Sequence, residues 1–114
     1  MIQIYHNPRC GKSRNCLAFI DQSKQEFKII PYLTDTPSFT ELKDLLVKLN
    51  LDPIQLVRIK ENIWIENYKG KKMSNDEIIQ AMVENPILIE RPIVIKDGKA
   101  IIGRDLDRVA DFLK

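Results

Sequence analysis

Cysteine and histidine are scarce in this chain. Its 114 residues include two cysteines, Cys10 and Cys16, and one histidine, His6. Two cysteines are too few for a disulfide framework, and a zinc site would lack its usual imidazole and thiolate ligands. We therefore expect both cysteines to be free thiols, and we expect no structural metal and no tightly bound cofactor.

A strong net charge and long apolar runs are absent as well. The formal net charge is only +2, which argues against a nucleic-acid-binding protein. No stretch approaches the roughly 18 consecutive apolar residues of a membrane span, and the N-terminus lacks a signal-peptide layout. The sequence predicts a cytoplasmic protein that binds neither nucleic acid nor membrane. Its length fits a single domain, 1–114, and no unexplained apolar stripe indicates a second copy, so we expect a monomer.

The order of elements at the two ends of the chain predicts an α/β fold. A short strand ending near His6 precedes a helix from about Lys12 to Asp21, and Phe27 to Ile30 form a second strand. Because a helix joins these two strands, they should be parallel. The Asp97-Gly98 pair predicts an antiparallel hairpin, and an amphipathic helix closes the chain.

The middle of the chain is predicted to be helical. Ser38 with Glu41, and Ser74 with Glu77, form capping-box patterns ahead of apolar residues at helical spacing. The full order is βαβ, a helical insertion at about 38–85, and then ββα. This order is thioredoxin-like, with a mixed sheet and helices on both faces.

Cys10 is the candidate reactive residue. It lies between the first strand and its helix, where unpaired N–H groups and the helix dipole favour a thiolate. Arg9, Lys12 and Arg14 are close in sequence, but spacing does not say which of them faces the sulfur. The alternative is a small buried cysteine without reactivity. Cys16, inside the helix among apolar neighbours, is predicted to be an inert core thiol, and the alternative is a resolving partner for Cys10.

Position 13 determines how an oxidised Cys10 would be reduced. A Cys-x-x-Cys motif would place a second cysteine there, but the chain has Ser13. The second half of a thiol reaction therefore needs a thiol from outside the chain.

The loop Tyr5–Asn15 resembles the signature loop of the glutaredoxin-coupled arsenate reductases, the ArsC family, and reads Tyr-His-Asn-Pro-Arg-Cys-Gly-Lys-Ser-Arg-Asn. Within it, His6, Cys10 and Arg14 match that family's His-x-x-x-Cys-x-x-x-Arg pattern. Residues 85–94 and the Gly103-Arg104 pair resemble two further segments of the family. The resemblance thus extends over nearly the whole chain and implies the same thioredoxin-like fold.

The resemblance implies roles for individual residues. Cys10 becomes the nucleophile, and Arg58, Arg91 and Arg104 match positions at which the family holds its oxyanion. A guanidinium suits this role because it keeps its charge and can hold two oxygens at once. The alternative for each arginine is a surface or ion-paired residue. Supporting roles fall to His6, Gly11, Lys12, Ser13, Arg14 and Pro92.

Two of the supporting residues carry more specific expectations. Pro92 stands just before the third strand, where thioredoxin-like domains place a cis-proline opposite the reactive cysteine. We therefore predict a cis peptide between Arg91 and Pro92. His6 either tunes the cysteine electrostatically or is simply the polar end of the first strand.

The implied activity is reduction of arsenate, or of a related oxyanion, through Cys10. Glutathione is the expected co-substrate, and glutaredoxin is the expected partner that resolves a disulfide between Cys10 and glutathione. Two alternatives stay open. One is a reductase of a different substrate. The other is a regulator resembling the Spx branch, which shares the fold and binds RNA polymerase, although its usual Cys-x-x-Cys switch is removed by Ser13.

Overall fold

Contacts within the chain divide it into two compact units. The computed structural model describes residues 1–114 throughout. The first unit comprises Met1–Asp35 and Arg91–Lys114, and the second comprises Thr36–Glu90. The second unit covers the sequence in which the helical insertion is predicted. A single domain of the ArsC type stays a prediction.

The first unit is a mixed four-stranded sheet with two helices. The strands are β1 (Ile2–Tyr5), β2 (Phe27–Ile30), β3 (Ile93–Lys96) and β4 (Lys99–Ile102), and the helices are α1 (Gly11–Gln22) and α5 (Leu106–Leu113). The strand order is β2-β1-β3-β4, in which β1 and β2 are parallel and the other neighbours antiparallel. The predicted parallel pair and the predicted α/β fold class are both confirmed.

The β3–β4 hairpin turns at Asp97 and Gly98. Both residues have positive φ angles, 53° and 76°. A two-residue turn with positive φ at both central positions matches the right-handed twist of the flanking strands. The hairpin that the sequence predicts is therefore confirmed.

One face of the sheet is covered by α1 and α5. Their buried side chains meet those of the strands in a single apolar cluster, which consists of Ile2, Ile4, Cys16, Ile20, Val94, Val109 and Leu113. The end of α5 is fixed by Lys96, whose Nζ donates to the Leu113 carbonyl at 2.7 Å. This packing holds the N-terminal end of α1 at the edge of the sheet where β1 ends.

The second unit is helical. It contains α2 (Phe39–Leu49), α3 (Asn62–Asn67) and α4 (Asn75–Glu84), with 3₁₀ turns at Pro53–Leu56 and Pro86–Leu88. Both predicted capping boxes form, at Ser38 and at Ser74. The sequence pattern does not predict α3, which has only six residues and no capping side chain. None of the helices has the length and apolar composition needed to cross a membrane.

Candidate active site

Cys10 is the N-cap residue of α1. Its backbone is extended, with φ −96° and ψ 121°, and its carbonyl accepts the first helical bond from the Arg14 amide at 3.0 Å. The Cys10 amide donates to the Asn7 carbonyl at 3.0 Å, which closes the preceding turn. The side chain is only partly buried. The sulfur is thus held at a helix N-terminus and remains accessible to a substrate.

Several groups act on the Cys10 sulfur. Burial raises the pKa of the Cys10 thiol, whereas the Ser13 amide, the Arg91 side chain and the Lys12 amide lower the pKa by more. Both amides act as hydrogen-bond donors to the sulfur at the start of α1. The net result is a lowered pKa, which favours the nucleophilic form of the residue.

Arg91 is the cation that faces the sulfur. It is 9% exposed, and both its hydrogen bond and its charge lower the pKa of Cys10. The peptide between Arg91 and Pro92 is cis, which confirms that prediction. Arg104 reaches the same segment, since its Nη1 donates to the Arg91 carbonyl at 2.9 Å. Cys10, Arg91 and Arg104 are therefore linked by successive contacts.

The charged residues next to Cys10 in sequence are placed differently. Arg9 and Lys12 have exposed side chains, and Lys12 acts on the sulfur through its backbone amide. Arg14 turns back towards the loop, where its Nη1 donates to the Pro8 carbonyl at 3.0 Å. The thiolate therefore depends on a cation distant in sequence and on backbone amides.

Ser13 connects His6 to the cysteine loop. Its side chain is fully buried, and Oγ lies 2.7 Å from His6 Nδ1 and accepts from the Asn7 amide at 3.0 Å. Burial, and secondarily the charge of Arg14, lowers the pKa of His6. A neutral imidazole can accept at Nδ1, so we assign the Ser13 hydroxyl as the donor. The serine that replaces a second cysteine therefore orders the loop.

Arg58 belongs to the second unit and is ion-paired there. Its amide donates to the Leu88 carbonyl at 2.7 Å, beside an isolated antiparallel bridge between Val57 and Ile89. This pairing sets its Nη1 2.8 Å from Glu90 Oε1, with Glu61 Oε2 3.7 Å from Nε. The role of Arg58 in holding an oxyanion stays a prediction.

Cys16 differs from Cys10 in every respect that governs reactivity. It is 0% exposed, and burial raises the pKa of its thiol to about 11. A protonated thiol without solvent access is neither a nucleophile nor an accessible disulfide partner. The predicted core position of Cys16 is confirmed, and its lack of reactivity stays a prediction.

One contributor to the loop was missed by sequence reasoning. Asn7 is 2% exposed, its Oδ1 accepts from the Arg9 amide at 2.9 Å, and its carbonyl accepts from the Cys10 amide. The Asn-Pro pair before the cysteine is a recognised turn signal. Gly11, in contrast, has room for a Cβ, whose nearest contact would be Arg14 Nη2 at 3.7 Å.

Taken together, the fold and this site define a thioredoxin-like protein with a cysteine of lowered pKa at the start of its first helix. No group of three or more His, Cys, Asp or Glu side chains could hold a metal ion. The family model of the ArsC family matches residues 5–112. The chain belongs to the ArsC family.

Individual relatives match the chain over almost its full length. A protein named arsenate reductase from Neisseria meningitidis serogroup A is 36% identical, over 98% of this chain and 97% of its own length. One of the same name from Haemophilus influenzae is 38% identical, over 96% and 97%. The solved structure of an arsenate reductase from Vibrio cholerae superposes with a TM-score of 0.90 at 40% identity, covering 96% of this chain and 95% of the other.

Proposed function

We propose that this chain is a thiol-dependent oxidoreductase that reduces arsenate to arsenite through Cys10. The observation that carries the proposal is the convergence of the Arg91 guanidinium and the Ser13 and Lys12 amides on the Cys10 sulfur. Attack on a tetrahedral oxyanion requires a thiolate beside a group that can bind the negative oxygens. The names of the relatives support arsenate as the substrate.

The first step forms a bond between sulfur and arsenic. The Cys10 thiolate attacks As(V), and one arsenate oxygen takes up protons and leaves as water. In the second step a glutathione thiolate attacks the Cys10 sulfur. The S–S bond forms as the S–As bond breaks, and the electron pair stays on arsenic, which leaves as As(III) in arsenite. One mixed disulfide therefore forms for each arsenite released.

The three arginines divide the work of holding the oxyanion in this proposal. Arg91 binds the oxyanion beside the sulfur, because its side chain already contacts Cys10. Arg104 binds it from the neighbouring position, where its Nη1 donates to the Arg91 carbonyl. Arg58 enters through the family resemblance, and an oxyanion there would have to share the guanidinium with Glu61 and Glu90. His6, Gly11, Lys12, Ser13, Arg14 and Pro92 form and support the cysteine loop.

Regeneration of Cys10 needs reductants from outside the chain. The only other thiol, Cys16, is sealed in the core, so no internal disulfide with Cys10 is accessible. We assign the first reducing thiol to glutathione. Glutaredoxin then attacks the glutathione sulfur of the mixed disulfide and releases Cys10 as a thiolate.

A coupled assay tests the proposal. Purified protein is mixed with arsenate, glutathione, glutaredoxin, glutathione reductase and NADPH, and arsenite is measured directly alongside NADPH oxidation. We expect arsenate-dependent NADPH oxidation that Cys10→Ser abolishes and that Cys16→Ala, the matched control, retains. Oxidation no faster than in the enzyme-free reaction, across a wide range of arsenate concentrations, would refute arsenate as the substrate.

A further inference from the structure

The end of β4 is bonded to the segment that carries Arg91. The amide of Gly103, the first residue after β4, donates to the Pro92 carbonyl at 2.8 Å. The next residue, Arg104, donates from Nη1 to the Arg91 carbonyl at 2.9 Å. Two consecutive residues therefore hold both carbonyls of the Arg91–Pro92 pair, and a displacement of Gly103 is passed on to that pair.

Gly103 also packs against the helix that carries Cys10. A Cβ at position 103 would lie 2.9 Å from the sulfur of Cys16, a buried residue of α1, and within 3.3 Å of methyl groups of Val94 and Val109. The need for glycine here is a need for space, because Gly103 does not have a positive φ angle. Only a residue without a side chain lets the backbone approach α1 this closely.

These contacts connect the two partners at the sulfur by a second route. Cys10 is the N-cap of α1, and the same helix carries the Cys16 sulfur that meets Gly103. From Gly103 a hydrogen bond leads to the Arg91–Pro92 pair, and the Arg91 side chain returns to the Cys10 sulfur. A close-packed interior transmits strain instead of absorbing it. The separation of Gly103 from α1 therefore governs where the Arg91 guanidinium lies.

We propose that Gly103 is a positioning residue: its missing side chain lets the Arg91–Pro92 pair lie close enough to α1 for the Arg91 guanidinium to reach the Cys10 sulfur. The consequence for oxyanion binding rests on the proposed function, whereas the contact between Arg91 and the sulfur does not. An alanine at position 103 needs roughly 0.5 Å more room, since non-bonded atoms prefer a separation of about 3.5 Å or more. A shift of this size weakens the hydrogen bond from Arg91, because hydrogen bonds depend steeply on geometry.

The pH dependence of Cys10 alkylation by iodoacetamide tests the position of Arg91 without any substrate. Gly103→Ala should move the alkylation midpoint upward by about 0.5 pH units, part of the shift expected when a nearby cation is lost. The Ser13 and Lys12 amides also act on the sulfur, but they belong to α1 and should not be displaced. Adding Cys16→Ala removes the shortest contact and should return the midpoint at least half way. A wild-type midpoint in Gly103→Ala, or no recovery in the double variant, would overturn the proposal.

Two sets of variants separate positioning from a general loss of stability. Ile20→Val and Ile20→Ala remove one and three carbon atoms from the same apolar cluster, and Ile20 is not a neighbour of Gly103. Both should lower the melting temperature and leave the alkylation midpoint unchanged. A midpoint that follows the melting temperature through all variants would refute the positioning role. Cys16→Val crowds Gly103 from the helix side, so it should raise the midpoint even if Gly103→Ala does not fold, and an unmoved midpoint there would also overturn the proposal.

The arsenate assay distinguishes this inference from the proposed function. At a pH where Cys10 is ionised in both proteins, Gly103→Ala should raise the KM for arsenate about three- to tenfold, because a displaced Arg91 holds the oxyanion less well. The Ile20 variants should keep the wild-type KM, and an unchanged KM in Gly103→Ala would contradict the consequence for oxyanion binding. A wild-type protein inactive towards arsenate would refute only arsenate reduction, provided that Gly103→Ala still shifts the alkylation midpoint and Cys16→Ala restores it.

Discussion

Gly103→Ala would place a Cβ closer to its neighbours than an alanine at any other glycine position of the chain. A Cβ at position 103 would lie 2.9 Å from Cys16 Sγ, 3.2 Å from Val94 Cγ2 and 3.3 Å from Val109 Cγ2. All three neighbours are fully buried, so none can move into solvent. Overpacking of this kind costs about 1–3 kcal/mol. For a chain of this length we expect the melting temperature to fall by roughly 4 °C per kcal/mol.

The sulfur of Cys16 should carry a large part of that cost. Cys16→Ala alone leaves a small cavity and should destabilise the fold by about 1 kcal/mol. In the Gly103→Ala background the same change removes the shortest contact, so the double variant should be more stable than the sum of the single effects predicts. We expect a coupling of about 1 kcal/mol, because the two valine contacts remain.

Urea unfolding of the two single variants and the double variant measures this coupling. Gly11→Ala is the matched control, because its Cβ would meet nothing closer than 3.7 Å and its stability should be unchanged or slightly higher. Additive effects of Gly103→Ala and Cys16→Ala would refute the assignment of the cost to the sulfur. A Gly103→Ala variant as stable as the wild type would refute the overpacking argument altogether.

Three further outcomes follow from the same structure. Iodoacetamide should alkylate Cys10 with a midpoint below the ordinary thiol value of about pH 8.5, and Arg91→Gln should move that midpoint upward, because Arg91 lowers the pKa of Cys10; an unmoved midpoint would contradict the contact. Since burial raises the pKa of Cys16 to about 11, the unfolded chain loses this proton first as pH rises. The free energy of unfolding of the wild type should therefore fall by up to about 3 kcal/mol between roughly pH 8.5 and 11, relative to that of Cys16→Ala. Parallel plots of unfolding free energy against pH for the two proteins would contradict this. Ser74→Ala removes the capping hydrogen bond from the Glu77 amide and should lower the free energy of unfolding, measured in urea, by about 1 kcal/mol. An unchanged free energy of unfolding would mean that the cap does not stabilise the fold.

Elements with local signals were predictable from the sequence. The capping box at Ser38 and the positive φ angles at Asp97 and Gly98 depend on residues within a few positions of each other. The parallel pairing of β1 and β2 followed from the helix between them. The short helix α3 lacks both a cap and a long apolar repeat. Its tryptophan, Trp64, stacks on Tyr68 at 5.3 Å. The two residues have i,i+4 spacing, but one such pair is too weak a signal to predict a helix.

The same distinction divides the candidate site. The position of Cys10 at a helix N-terminus was readable, because the strand, loop and helix are consecutive in sequence. The hydrogen bond between Ser13 and His6 is not predictable from the sequence, because a buried network depends on the direction of each side chain. Arg9, Lys12 and Arg14 are all close enough in sequence to pair with the sulfur, and their spacing does not distinguish among them.

The cation at the sulfur comes from the far end of the chain because the sheet brings it there. Antiparallel pairing of β1 with β3 sets Tyr5 opposite Ile93, so the segments just beyond these residues, the cysteine loop and the Arg91–Pro92 pair, meet at one edge. Backbone amides at the start of α1 would favour a thiolate in any helix of this kind. The Arg91 contribution exists only when the sheet is formed. The lowered pKa of Cys10 is therefore partly a local property of the loop and partly a property of the folded sheet.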